Sequence, residues 1–425
     1  MTRGALRKAA HQILRAGLVA VEPGRLIRQH LRISRAGISV AGLKVAIPKR
    51  LFVVAVGKAA IPMARTACRI LGARMTAGIV IAPERAPRLP RMTSFVSSHP
   101  VPDATGVKAG GVVIKLLQGA KKDDLVLLLL SGGASALMPA PIDGVSLAHK
   151  QRVTRLLLKR GANIAETNAV RKRLSRLKGG GFARLAAPAR VVTLALSDVP
   201  GDDVRVIGSG PAVDDPAAGV LARKTVRRFL RANELSPTIR CALEKNPVKT
   251  STITRAETKV IGSGRTFAEA AGRKARELGF ACEVIPDALR GEARECGPAL
   301  VSRFRRRGKT RLNCLILTGE TVVRVTGRGR GGRNQELALS AIPALGQLPQ
   351  ATVLAAFSTD GRDGPTSASG GMVDDQTAAR AEAAGVSVAE ALKQNNSYKA
   401  LRQLESLIVT GPTSTNVADV VLIVG

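Results

Sequence analysis

A chain of 425 residues, 45% of them hydrophobic and with a mean hydropathy of +0.09, carries enough apolar material for about two or three cored domains, which excludes intrinsic disorder. Its 66 Lys and Arg against 31 Asp and Glu leave a formal charge of +35, a field that draws phosphorylated metabolites, nucleotides and nucleic acid alike. The chain has no Trp, its one tyrosine is Tyr398, and its basic residues are spread along its length; this argues against a specific nucleic-acid binder, which stacks bases on exposed rings.

The first 21 residues are Arg-rich and free of acids, in the manner of a mitochondrial presequence, but they contain no serine. The spacing of Ile13, Leu14, Leu18 and Val21 predicts an ordinary amphipathic helix instead. Apolar runs then predict strands at Leu51 to Val56, Gly78 to Ala82, Leu125 to Leu130, Val191 to Leu196, Thr258 to Ile261, Leu312 to Leu317 and Thr352 to Phe357. Helix-length segments rich in Ala, Leu, Arg and Lys separate them, so the fold class is α/β, with parallel strands covered on both faces. The longest aliphatic run, Leu125 to Leu130, is only strand length, and no membrane-spanning helix is expected. A polar stretch from Glu244 to Ala256 marks the boundary between a larger N-terminal domain, 1–245, and a smaller C-terminal one, 246–425.

The five cysteines, Cys68, Cys241, Cys282, Cys296 and Cys314, form no C-x-x-C pair and fit a reducing, cytoplasmic setting. His11, His30, His99 and His149 are too scattered for a zinc site.

In a parallel sheet ligands gather at the carboxyl ends of the strands, and here those ends carry polar or glycine-rich loops that a core does not require. Lys58 follows the strand Leu51 to Val56 ahead of a helix predicted over Ala59 to Leu71, with Pro62 in its first turn; it is either a lysine on the active edge or a solvated one. Ser131, Gly132, Gly133, Ala134 and Ser135 offer backbone donors and two hydroxyls, a phosphate or carboxylate cradle if a helix follows and a tight strand exit if not. Asn168 to Gly181 reads as a basic helix with a glycine stop that presents Lys178. Asp198, Asp202 and Asp203, together with Glu320, Asp360 and Asp363, are oxygen ligands for a hard cation, although Asp-Gly pairs are also turn formers. Gly327 to Glu336, GRGRGGRNQE, combines backbone donors with Arg333, Asn334, Gln335 and Glu336, and is either a phosphate grip or a solvated basic tether.

Ten collinear motifs give the whole chain a likeness: VGKAA at Val56, SSHPVPD at Ser97, SGGASAL at Ser131, NAVRKRLSRLKGGG at Asn168, SDVPGDD at Ser197, GSGP at Gly208, TGET at Thr318, GGRNQE at Gly331, TDGRDGPT at Thr359 and GPTSTN at Gly411. In this order they resemble the glycerate 2-kinase family, the type II glycerate kinases whose C-terminal part is the MOFRL domain. The resemblance implies a Rossmann-like N-terminal domain with a parallel sheet, a smaller α/β C-terminal domain, and an active site in the interdomain cleft. It also implies phosphorylation of D-glycerate by ATP at the 2-hydroxyl, with Mg²⁺ or another divalent cation, and a homodimer as the candidate assembly. By the family's pattern Lys58 and Arg333 act on the transferring phosphoryl or on the glycerate carboxylate. Ser131 to Ser135 hold phosphate oxygens, and Asp198 binds the metal or accepts the hydroxyl proton. Lys178, Glu320, Asn334 and Asp360 complete the nucleotide side. The chain departs from the pattern at Ser367, where an acid is usual, at Arg173, where a histidine is common, and at Ser414 and Ala418, which replace a glycine and an asparagine.

Some members of the family carry a hydroxypyruvate reductase label. That activity needs a dinucleotide fingerprint, and neither Gly262 and Gly264 nor Gly327 to Gly332 has its G-x-G-x-x-G spacing opening a helix with an acid about 20 residues on. A nucleic-acid-binding protein without catalysis has only the charge in its favour.

Overall fold

The computed structural model describes residues 1–244, 253, 255–307 and 312–425. The expected boundary between residues 245 and 246 falls outside them. By internal contacts the chain forms two compact units, one of Leu26–Leu196 with Asp202–Ile261, the other of Met1–Arg25, Ser197–Gly201 and Gly262–Gly425.

The first unit is built on a six-stranded sheet in the order Met92–Val96, Ala77–Ala82, Leu51–Val56, Leu125–Leu130, Arg190–Leu196, Ala256–Gly262. Leu51–Val56 pairs in parallel with both Ala77–Ala82 and Leu125–Leu130, in the register Leu51↔Leu125 to Val56↔Leu130. Both strands of that central pair are buried at every position, which is why they read as unbroken aliphatic runs. The helix Ala60–Leu71 follows directly and buries Ile61, Met63, Ala64, Ala67 and Leu71, with Pro62 in the first turn as expected. An antiparallel sheet of Leu31–Ser34, Gly37–Val40 and Leu43–Val45, not anticipated from the sequence, precedes it.

The segment from Asn168 to Gly181 is not one helix. A capping box of Asn163 and Glu166 opens a helix that ends at Arg173. Ser175 then bridges to Pro141, and Arg176 N–H donates to the Ala140 carbonyl at 2.9 Å. These outside partners draw the chain out of the helix, and Lys178 arrives on the turn that follows.

The second unit has a six-stranded sheet in the order Cys282–Leu289, Cys314–Gly319, Asp419–Val424, Val353–Ser358, Gly370–Asp374, Leu407–Ile408. Only its first pair is parallel, and the rest are antiparallel. The expectation of parallel strands throughout therefore fails here: burial on both faces makes a strand aliphatic whatever its direction. Asp419–Val424 shows the two-faced burial, with Val420, Leu422 and Val424 in one core cluster and Val421 and Ile423 in the other. The first cluster includes Ile13 and Leu14 of the helix Arg3–Ala20, so the opening segment is a core element of this unit, as its periodicity predicts. Gly17 lies so close to the Phe267 ring that a Cβ would run into it. Among the described residues, no helix is long and apolar enough to cross a membrane.

Candidate active site

In the first unit the loops after Leu51–Val56 and Leu125–Leu130 are tied together. Lys58 N–H donates to the Gly132 carbonyl at 2.9 Å, and Ser131 Oγ accepts from Ala59 N–H at 3.0 Å. Gly57, at φ +128°, allows this approach, since a Cβ there would run into Ser131 Oγ. Ser131 is buried, so its hydroxyl braces the Lys58 loop. Gly133 and Ala134 open a one-turn helix, Ala134–Leu137, which carries Ser135.

Ser135 is where the motifs converge. Lys178 Nζ donates to its carbonyl at 2.5 Å and to its Oγ, Arg171 Nη2 donates to the same Oγ at 2.9 Å, and Ser209 Oγ lies 3.0 Å from it. Burial, helped by the charges of Arg171, Lys150 and Lys172, holds the Lys178 ammonium well below the ordinary lysine range. Lys178 also lines a cavity of about 270 Å³ with Lys172, Arg184 and Asp214.

In the second unit Arg333 is the first residue of the helix Arg333–Leu345. Its Nε donates to Asp419 Oδ2 at 2.5 Å and its Nη2 to Asp419 Oδ1 at 3.1 Å, while Nη1 pairs with Glu320. Burial pushes the Asp419 carboxyl up to about 6 against the pull of Arg333. Asp363 caps the helix from outside, accepting from Asn334 N–H at 3.1 Å and Gln335 N–H at 2.8 Å, and from their side-chain amides at 3.2 and 3.0 Å. Asn334 is thereby fully buried against Asp363, and Glu336 pairs with Arg294.

The glycine-arginine loop is neither a phosphate grip along its length nor a solvated tether. Gly327 N–H donates to Asn395 Oδ1 at 2.9 Å, Gly329 N–H to the Gln394 carbonyl at 2.7 Å, and Arg330 N–H to Asn396 Oδ1 at 3.3 Å. Cβ atoms at Gly327, Gly329 and Gly331 would strike Gln394, Asn396 and Ser397. The glycines serve close packing, and several of the donors expected for an anion are bound to protein.

The acidic residues disperse. Asp203 holds Arg205, Asp363 caps its helix, and Asp360 accepts from Ser358 Oγ and Arg362 N–H, both at 3.0 Å. Asp198, in the same compact unit as Arg333, accepts from Asn416 Nδ2 at 2.9 Å. Among the described residues no three His, Cys, Asp or Glu side chains group closely enough to hold a metal ion. A carboxylate oriented by a neighbouring amide, as Asp198 is by Asn416, fits Mg²⁺, which binds through one or two carboxylates plus substrate phosphates.

Three site residues escaped the sequence reading. Asp419 stands at the head of the aliphatic run Val420 to Val424, and a charge in that position is a signal in itself. Lys150 shares the buried face of its helix with Val153 and Leu157, at i, i+3 and i+7. Arg171 is legible only as one of several basic residues in its motif.

Residues 9–244 match the family model described as a domain of unknown function, DUF4147, and residues 313–419 match the MOFRL family. The chain is 40% identical to D-glycerate 2-kinase of Thermotoga maritima, with 98% of each chain covered, and 34% identical to glycerate 2-kinase of Pyrococcus horikoshii, with 98% of this chain and 97% of the relative covered. The crystal structure of glycerate kinase from Thermotoga maritima superposes with a TM-score of 0.87 at 39% identity over 99% of both chains. Family models over both parts of the chain and full-length relatives at this identity make it a member of the glycerate 2-kinase family with a C-terminal MOFRL domain.

Proposed function

We propose that the protein transfers the γ-phosphate of ATP to the 2-hydroxyl of D-glycerate, giving 2-phosphoglycerate and ADP. The observation that carries the reading is the fork of Arg333, fixed by buried Asp419 and paired at its third nitrogen with half-exposed Glu320. Phosphoryl transfer asks the protein for positioning and charge neutralisation, and an oxyanion competes readily with an exposed carboxylate for one arm of a rigid guanidinium. Lys58 is the second cation on the transferring group or on the acid's carboxylate. Asp198, oriented by Asn416, is the carboxylate that would hold a nucleotide-borne Mg²⁺, which supplies charge neutralisation to the phosphates. The full-length likeness to a protein named D-glycerate 2-kinase supplies the substrate and the position of attack.

The test is ³¹P NMR of the purified protein with ATP, Mg²⁺ and D-glycerate. The expected product is 2-phosphoglycerate, lost in Lys58→Ala and Arg333→Ala. Absence of any phosphoglycerate, or NADH-dependent reduction of hydroxypyruvate without ATP, overturns the reading. Asp198→Asn with a Mg²⁺ titration separates its two roles: a metal ligand shows a raised metal requirement, and a proton acceptor shows a lowered kcat at saturating metal.

A further inference from the structure

Lys150 presents a problem that the fold does not solve. It lies on the buried face of the helix Leu147–Lys159, is 8% exposed, and its Nζ is enclosed without a hydrogen-bond partner among the described residues. Arg171 and Lys178 share the Ser135 hydroxyl, and both couple electrostatically to Lys150. Arg171 depresses the proton affinity of Lys150, and both depress that of Lys178. The acceptors of Arg171 and Lys178 are neutral: Asn168 Oδ1, Ser135 Oγ and the Ser135 carbonyl. By contrast, neighbouring Lys172 and Arg184 have their own carboxylates, Asp215 and Asp214. Buried charges in proteins are otherwise paired, because an unpaired one loses hydration with no return.

We propose that Lys150, Arg171 and Lys178 form a phosphate-binding centre around Ser135, with Lys150 as a ligand-binding residue that no motif of the sequence singled out. An arginine and a lysine on one hydroxyl, with a second lysine coupled to both and each lysine able to take up a proton as an anion arrives, suit a multiply charged oxyanion better than a monovalent carboxylate. Two phosphates meet that description: the phosphate chain of the nucleotide and the phosphate of the product. The identity of the phosphate donor and product rests on the kinase reading, whereas the centre itself rests on the side chains.

The experiment measures equilibrium binding of ADP, 2-phosphoglycerate, inorganic pyrophosphate and D-glycerate by calorimetry, together with Tm, for the full-length wild type, Lys150→Met and Arg171→Gln. Lys150→Met removes the charge and keeps the volume, so the ligand-free variant is expected to fold with a Tm at or above wild type. Its Kd for pyrophosphate is expected to weaken by roughly tenfold or more, the scale of one charge-assisted hydrogen bond, and Arg171→Gln to move it the same way. A matching loss with ADP assigns the centre to the nucleotide, and one with 2-phosphoglycerate assigns it to the product. The inference is overturned if Kd stays within about twofold for all three phosphates, if D-glycerate alone is affected, or if Lys150→Met unfolds or melts lower, since its ammonium then has a native partner. Binding needs no turnover. A protein that binds pyrophosphate through Lys150 yet makes no phosphoglycerate leaves this centre standing and removes the kinase reading.

Discussion

Arg333 and Asp419 form a two-pronged ion pair, 2.5 and 3.1 Å, between the first residue of one helix and the first residue of a central strand. The carboxylate is fully buried and the guanidinium partly exposed, so the pair works as an anchored fork with one arm toward Glu320.

Replacing Asp419 by Asn keeps the shape and leaves the arginine without its anchor. Breaking a buried pair costs about 3 kcal/mol of stability, and loss of the fork's orientation lowers kcat/KM on the order of a hundredfold. Urea unfolding and steady-state kinetics measure the two effects separately. Glu320→Gln, at the exposed end, is expected to leave stability within about 0.5 kcal/mol.

Asp363→Ala removes four acceptor contacts and leaves the backbone N–H groups of Asn334 and Gln335 without this acceptor inside the core, while the Gln335 side-chain amide keeps the residue 363 carbonyl and Thr366 Oγ1. A loss of about 3 kcal/mol is expected, with Arg333 displaced because its helix loses the cap. Gly332→Ala reaches the same end from the other side, since a Cβ there would run into Asp363. Chemical denaturation of both variants, and their KM for ATP, check this.

Ser414 and Ala418, two of the positions that depart from the family pattern, have φ of +60° and +80°. Glycine and asparagine tolerate that left-handed backbone, and serine and alanine are strained in it. Ser414→Gly and Ala418→Asn are each expected to raise stability by about 0.5–1 kcal/mol, read as higher Tm. No gain in either variant would remove backbone strain as the reason for the family's residues there.

Stability should rise with pH in the alkaline range. Burial, with Arg171 alongside, holds Lys150 at about 7 in the folded protein against 10.5 in the unfolded chain. Between those values the unfolded chain binds the extra proton, so unfolding becomes harder as pH climbs; below about 7 both states are protonated, the slope vanishes and the burial penalty stands at its full size. Lys178, depressed in the same direction, adds to the slope. Thermal melts from pH 7 to 10 should show a shallower rise in Lys150→Met than in wild type.

The sequence is most legible where one physical demand rules a segment. Leu51–Val56 and Leu125–Leu130 agree with the predicted strands residue for residue, because burial on both faces admits only aliphatic side chains. Strand direction in the second sheet is not legible, since Asp419–Val424 is equally aliphatic and runs antiparallel to both neighbours. Gly370–Asp374 is hidden by its glycines, which lack strand propensity but are needed where Gly371 presses on Leu401 and Ala338. Among the candidate residues of the two units, Arg333, Asp198 and Lys178 announce themselves beside glycine-rich or polar loops, whereas Asp419 and Lys150 stand out because they are buried charges, and burial is a property of the fold. The glycines of the loop before Arg333 mislead for the same reason: packing on 394–397 and gripping an anion call for the same residue.

The helix Arg3–Ala20 is translated well before the helix Gly264–Glu277 on which it packs, in a unit whose central strand, Asp419–Val424, is the last of its sheet to be translated. At about 5–20 residues per second, the ribosome holds that opening helix without its partner for many seconds. Its apolar stripe of Leu6, Ile13 and Leu14 stays uncovered by that partner during the wait, so the opening helix depends for its burial on the distal half of the polypeptide.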